Sequence, residues 1–166
     1  MTELLLVADD SEDLRRIFQA ALANAGYAVV TARNGAEALR LARETLPSLV
    51  LLDLAMPVVD GIGVIEELKR SERTASIPIV AVTGYDVVTE ELRKLGFLGV
   101  LRKPVSPRFL VEAVERARAA AASGNGWIEL RARAPGGAIA RVRPLDARAW
   151  DRIRERLARM LGKAKN

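Results

Sequence analysis

Five polar residues stand at or just beyond the ends of short apolar runs, and their types suit phosphoryl chemistry on oxygen ligands. Asp9 and Asp10 follow Leu4–Ala8, Asp53 follows Leu49–Leu52, Thr83 follows Ile77–Val82, and Lys103 comes just after Leu98–Leu101 and is itself followed by Pro104. If the runs are strands of one parallel sheet, all five side chains project at the same rim, and the three carboxylates lie within a few ångströms of one another. Carboxylates so placed repel and raise each other's pKa, which a divalent hard cation relieves. The chain has no histidine and no cysteine. Thiolate or imidazole metal ligands, a cysteine nucleophile, a serine–histidine triad and a phosphohistidine in this chain are thereby excluded. A metal here must sit on oxygen, and Mg²⁺ does so while keeping water positions open for a phosphate. A carboxylate beside Mg²⁺ is a competent phosphoryl acceptor. Lys103 and Thr83 supply the cation and the hydrogen-bonding group that the transferring oxygens need.

The elements that must position these residues are legible as alternating strand and helix patterns. The runs Leu4–Ala8, Ala28–Ala32, Leu49–Leu52, Ile77–Val82 and Leu98–Leu101 are continuous rather than alternating, as in strands buried on both faces. Helix-spaced apolar residues fill the intervals: Ser11–Ala25, Gly35–Leu46, Gly61–Ser71, Val87–Leu95 and a last stretch to about Ala122 opened by Ser106-Pro107. Five such units predict an α/β fold, a doubly wound five-stranded parallel sheet in the order 2-1-3-4-5 with helices on both faces. Strands one and three are then neighbours, and a ligand belongs at their carboxyl ends.

The segments Leu6-Val7-Ala8-Asp9-Asp10-Ser11, Leu51-Leu52-Asp53-Leu54-Ala55-Met56-Pro57-Val58-Val59-Asp60-Gly61, Val82-Thr83-Gly84 and Lys103-Pro104 together resemble the receiver domain of two-component response regulators, the CheY-like family. The resemblance covers about residues 3–122. It implies that Asp53 accepts a phosphoryl group from a sensor histidine kinase or phosphotransfer protein. It further implies that Asp10, Asp53 and the backbone carbonyl of Ala55 bind Mg²⁺ directly, with Asp9 assisting through water. Thr83 and Lys103 would contact the phosphoryl oxygens, and the Lys103–Pro104 peptide would be cis. One position departs from the family pattern: three residues before the lysine, where an aromatic switch residue is usual, stands Val100, and Tyr85 is the aromatic nearest to Thr83 in sequence.

Two other readings of the cluster were open to the sequence. An aspartate-based phosphatase of the haloacid dehalogenase type needs a second Asp two residues after its nucleophile, where this chain has Ala55. A binding-only pseudo-receiver would lack one of the acidic residues or the lysine, and none is missing. The expectation is a signalling module that catalyses its own phosphorylation and turns over no metabolite.

Charge divides the chain. Residues 1–122 carry 15 basic and 17 acidic groups, whereas residues 123–166 carry 11 and 4. Residues 123–126, Ser-Gly-Asn-Gly, read as a linker to a basic extension over 127–166. In that extension Trp127–Ala134 and Ala138–Val142 flank Pro135-Gly136-Gly137 as a β-hairpin, and a helix spans about Ala147–Leu161. On that helix Trp150, Ile153, Leu157, Met160 and Leu161 form one apolar stripe about 100° wide, opposite a face of arginines. The stripe suits packing on the receiver or a homodimer. The arginine face makes a transcription-linked, DNA-binding role an alternative, although no base-reading motif accompanies it. The N-terminus has no basic leader and its apolar run is too short for a signal peptide or span, so a cytoplasmic protein without a membrane partner is expected.

Overall fold

The computed structural model of the chain describes residues 1–85, 87, 89–124, 126–131, 151, 155, 158 and 159. Among them the order is β1 (Leu4–Ala8), α1 (Glu12–Asn24), β2 (Ala28–Ala32), α2 (Gly35–Thr45), β3 (Leu49–Asp53), α3 (Gly61–Arg70), β4 (Ile79–Thr83), α4 (Thr89–Lys94), β5 (Gly99–Arg102), α5 (Pro107–Ser123) and β6 (Ile128–Arg131). Every strand pairing is parallel, and the sheet order is β2-β1-β3-β4-β5-β6. The expected order 2-1-3-4-5 is present, with a sixth strand added at the β5 edge.

Each long helix starts where a capping side chain follows a strand. Ser11 Oγ accepts from the Leu14 amide at 3.3 Å, Asn34 Oδ1 from Glu37 at 2.8 Å, Asp60 Oδ1 from Gly63 at 2.8 Å and Ser106 Oγ from Phe109 at 3.2 Å. These caps satisfy amides that have no partner inside the helix. They also set four of the five strand-to-helix turns at the rim where the polar residues lie.

Two apolar layers clamp the sheet. On one face Leu6, Ala8, Val50, Leu52, Ile79, Ala81 and Val100 meet α2, α3 and α4 through residues such as Leu39, Ile65 and Leu92. On the other, Leu5, Val7, Leu49, Leu51, Val80, Val82 and Leu101 meet α1 and α5 through Phe18, Leu22, Leu110 and Val114. Strand residues therefore alternate between two buried faces, which is why the runs read as continuous apolar stretches.

β6 falls within Trp127–Ala134, the stretch expected as the first arm of a hairpin with Ala138–Val142, and its pairing with β5 was not part of that expectation. Ile128 and Leu130 do belong to a strand, and that strand pairs parallel with β5 in the register Gly99↔Ile128 and Leu101↔Leu130. Gly99 is what admits it. A Cβ on Gly99 would lie 2.3 Å from the Ile128 carbonyl oxygen, closer than any real contact allows. Of residues 123–126, expected as a linker, Ser123 ends α5 and Gly124 caps it. The expected return strand Ala138–Val142 and the helix Ala147–Leu161 with Trp150, Ile153 and Leu157 lie outside the described residues, apart from the isolated positions noted above.

Candidate functional site

The rim of the sheet collects the residues singled out from sequence. β1 delivers Asp9 and Asp10, the neighbouring β3 delivers Asp53, β4 ends at Thr83, and Lys103 follows β5. One oxygen of each of Asp9, Asp10 and Asp53 lies within 4.8 Å of the others. Asp9 and Asp53 are almost wholly buried, at 2% and 4% exposure, whereas Asp10 is open to solvent. Such a cluster faces water on one side only.

Lys103 holds the buried pair together. Its Nζ donates to Asp9 Oδ2 at 2.7 Å and to Asp53 Oδ2 at 3.3 Å. Backbone bonds fix the rest. The Ser11 amide donates to Asp9 Oδ1 at 2.8 Å, and the Ala55 amide donates to Asp53 Oδ1 at 3.0 Å. Both carboxylates are thus gripped at both oxygens, one by an amide and one by the ammonium. Gly61 lets the β3–α3 connection close over the site, because a Cβ there would sit 2.6 Å from the Asp53 carbonyl oxygen.

Thr83 is fully buried on the next strand, and its Oγ1 accepts from the Tyr85 amide at 3.1 Å. The Lys103 amide donates to the Thr83 carbonyl at 2.9 Å, so the threonine and the lysine are carried by adjoining backbone. The Lys103–Pro104 peptide is cis.

The electrostatics follow from burial. Asp53 is pushed up to about 6, chiefly because burial penalises its charge. The Lys103 charge pulls it down and the Asp9 charge pushes it up. Burial also opposes the charge on Lys103, but Asp53 and Asp9 outweigh it and hold that pKa above the ordinary lysine value. Tyr85 is raised by burial and by the Asp53 charge.

The donor set fits a hard divalent cation. Three carboxylates face one ammonium, which leaves a net charge of −2 when all are ionised. All three ligands are oxygens, one of them is open to solvent, and the chain has no histidine or cysteine to favour a softer ion.

Two residues escaped sequence reasoning. Arg15, on α1, donates through Nη1 to the Asp9 carbonyl at 2.7 Å and so braces the β1 end of the site. Arg102, at the end of β5, donates through Nη1 to the Tyr85 carbonyl and through Nη2 to the Val87 carbonyl at 3.2 Å. Its position next to Lys103 was a usable signal. Strand alternation puts the two side chains on opposite faces, so an arginine there had to meet the β4–α4 connection.

Residues 5–115 match the response regulator receiver domain. The polar-differentiation response regulator DivK of Brucella ovis is 36% identical over 113 residues, which are 66% of this chain and 92% of DivK. A protein of Porphyra purpurea titled "Probable transcriptional regulator ycf27" is 40% identical over 110 residues, 65% of this chain but 44% of that protein. This chain thus matches less than half the length of that relative. Among solved structures, the chemotaxis response regulator CheY4 of Vibrio cholerae superposes with a TM-score of 0.67 at 28% identity, covering 70% of this chain and 99% of CheY4.

Proposed function

This chain belongs to the response regulator receiver family, and on that premise we propose that it is the phosphorylation-controlled module of a two-component phosphorelay with Asp53 as its phosphoryl acceptor. The observation that carries the reading is the Lys103 bridge. One ammonium reaches Asp9 and Asp53 at 2.7 and 3.3 Å inside a cluster of three carboxylates.

Asp10, Asp53 and the Ala55 carbonyl would hold Mg²⁺, with Asp9 acting through water. The ion supplies the positive charge that lets an anionic phosphoryl group approach anionic ligands. The chain's own residues do the rest. Asp53 attacks phosphorus through a carboxylate oxygen as the bond from phosphorus to the donor's imidazole nitrogen breaks. The Ala55 amide keeps the carboxylate from rotating. Lys103 gives up its contact with Asp53 Oδ2 in favour of a phosphoryl oxygen, and Thr83 turns its hydroxyl to another. The hydroxyl can donate there, because its present bond uses it as acceptor.

The phosphoryl donor is a sensor histidine kinase or phosphotransfer protein, and the product is a changed surface rather than a released metabolite. A cytoplasmic setting suits both. Among the described residues no helix is long and apolar enough to cross a membrane. Residues 1–122 carry the phosphoacceptor function, and residues 127–166 carry the output. Self-association or docking through the extension is favoured over nucleic-acid binding, because the basic charge of that region comes without a base-reading motif.

Acetyl phosphate tests the reading directly. The full chain should take up acid-labile, hydroxylamine-sensitive phosphate in Mg²⁺ and none in EDTA, and Asp53→Asn should abolish uptake. Full labelling of Asp53→Asn would assign the acceptor elsewhere.

A further inference from the structure

Arg102 has a task beyond packing. It follows Val100 by two residues on β5 and so shares a sheet face with Val100 and Thr83, opposite to Lys103. In the β4–β5 register it lies directly beside Thr83. Its guanidinium donates to the carbonyls of Tyr85 and Val87, two points on the backbone that leaves Thr83. The same Nη2 lies 3.7 Å from Glu129 Oε1 on β6. The Arg102 side chain is only 12% exposed, which strengthens charge-assisted bonds by excluding water. An unbroken series of contacts therefore runs from the Thr83 hydroxyl to the Tyr85 amide, from the Tyr85 carbonyl to Arg102, and from Arg102 to β6.

We infer that Arg102 is a positioning residue that couples the phosphoryl site to β6, holding the Tyr85 and Val87 carbonyls behind Thr83 while its ion pair with Glu129 ties them to the sixth strand. The inference rests on the reading of Asp53 and Thr83 as the phosphoryl site. When Thr83 turns to a phosphoryl oxygen, the Tyr85 carbonyl moves with the backbone. Arg102 must then either follow it and shift against Glu129, or release it. Either way the event reaches β6, the first strand of the basic extension. Coupling of this kind is reciprocal: whatever restrains β6 also changes the affinity of the site for a phosphoryl group. The guanidinium suits the task because its rigid fork spans two carbonyls at once, which an ammonium does not.

Trp127 reports on this strand. It immediately precedes β6 and packs on the core that contains Val87 and Val100. The experiment uses the full chain with Trp150→Phe, which leaves Trp127 as the sole tryptophan. It is titrated with beryllofluoride in Mg²⁺ while Trp127 emission is recorded, and fluorine NMR of the same samples counts the bound fluoride. Glu129→Gln and Arg102→Lys are made in that background. The parent should bind beryllofluoride and shift its Trp127 emission. Both variants should bind it and lose the shift. Glu129 lies on β6, beyond β5 from the strands that carry Asp9, Asp10 and Asp53, so its variant separates coupling from binding. Arg102→Lys keeps the charge, so a loss there assigns the effect to the fork. A full Trp127 shift in both variants, or a parent that binds without any shift, would overturn the coupling. A parent that binds no beryllofluoride would overturn the phosphoryl-site reading and this inference with it.

Discussion

Asp53 is a carboxylate placed where ionisation is costly. Its folded pKa of about 6 stands above the ordinary 3.8. Between those values the folded state binds more protons than the unfolded one, so stability falls as pH rises through that window and stays lowered above it. The separation corresponds to at most about 3 kcal/mol. In EDTA, the urea stability of Asp53→Asn should match the wild type near pH 3, below the unfolded value, and exceed it by up to about 3 kcal/mol near neutrality. A difference that does not change with pH would show that burial of Asp53 carries no such cost. Lys103 sits on the other side of the same balance. Removing it leaves Asp9 and Asp53 without their shared cation. Lys103→Ala should therefore bind Mg²⁺ several-fold more tightly by calorimetry, while losing the conformational response to phosphorylation. Weaker Mg²⁺ binding would contradict that competition. The residues of the cluster were legible in the sequence because each one ends an apolar run. Arg15 was not, because it acts on a carbonyl, and every residue has one; Arg102 could be approached only through its place beside Lys103.

At the scale of elements, β6 decides how the sheet ends. The alternation of Ile128 and Leu130 with Glu129 and Arg131 showed a strand, read as one arm of a hairpin with Ala138–Val142, but not its place beside β5, since any open sheet edge can accept one. The pairing is written in Gly99 instead, a residue without a side chain at the start of a buried strand. Read from sequence, Gly99 was one residue inside the run Leu98–Leu101, and its reason appears once the Ile128 carbonyl is seen against it. Gly99→Val should push β6 off the edge at a cost of about 1–3 kcal/mol. Hydrogen exchange should then show lost protection at residues 128–131 while β1, β3 and β4 stay protected. Unchanged protection of β6 would mean that the close approach is not what seats it. Strand limits shifted by one or two residues for a related reason. Thr83 and Arg102 are polar, so they fall outside the apolar runs, yet their backbones continue the ladder of β4 and β5.

Over the whole molecule, the fold class and strand order were readable because five βα units leave few topologies open. The role of the last 44 residues was not, because an apolar stripe states that something covers it without naming what. The sixth strand alters where the receiver should be cut. A chain ended at Ala122 loses Ile128 from the core and bares the β5 edge. It should be less stable than a chain ended at Arg131 by about 2 kcal/mol, the worth of burying one such side chain. It should also self-associate more readily in sedimentation. Equal stability and equal monodispersity of the two would show that β6 adds nothing to the receiver. Sedimentation of the full chain beside the 1–131 form then isolates the extension: a larger species formed only by the full chain supports self-association, and a salt-steep affinity for duplex DNA would favour the nucleic-acid alternative.

The most direct test of the phosphoacceptor site is chemical trapping. The full chain is treated with acetyl phosphate in Mg²⁺ and reduced with borohydride, which converts an aspartyl phosphate to homoserine, and the modified residue is located by tandem mass spectrometry. Homoserine should appear at position 53 and nowhere else, and only when Mg²⁺ is present. Homoserine at position 9 or 10, or none in a folded, Mg²⁺-loaded sample, would contradict the assignment of Asp53.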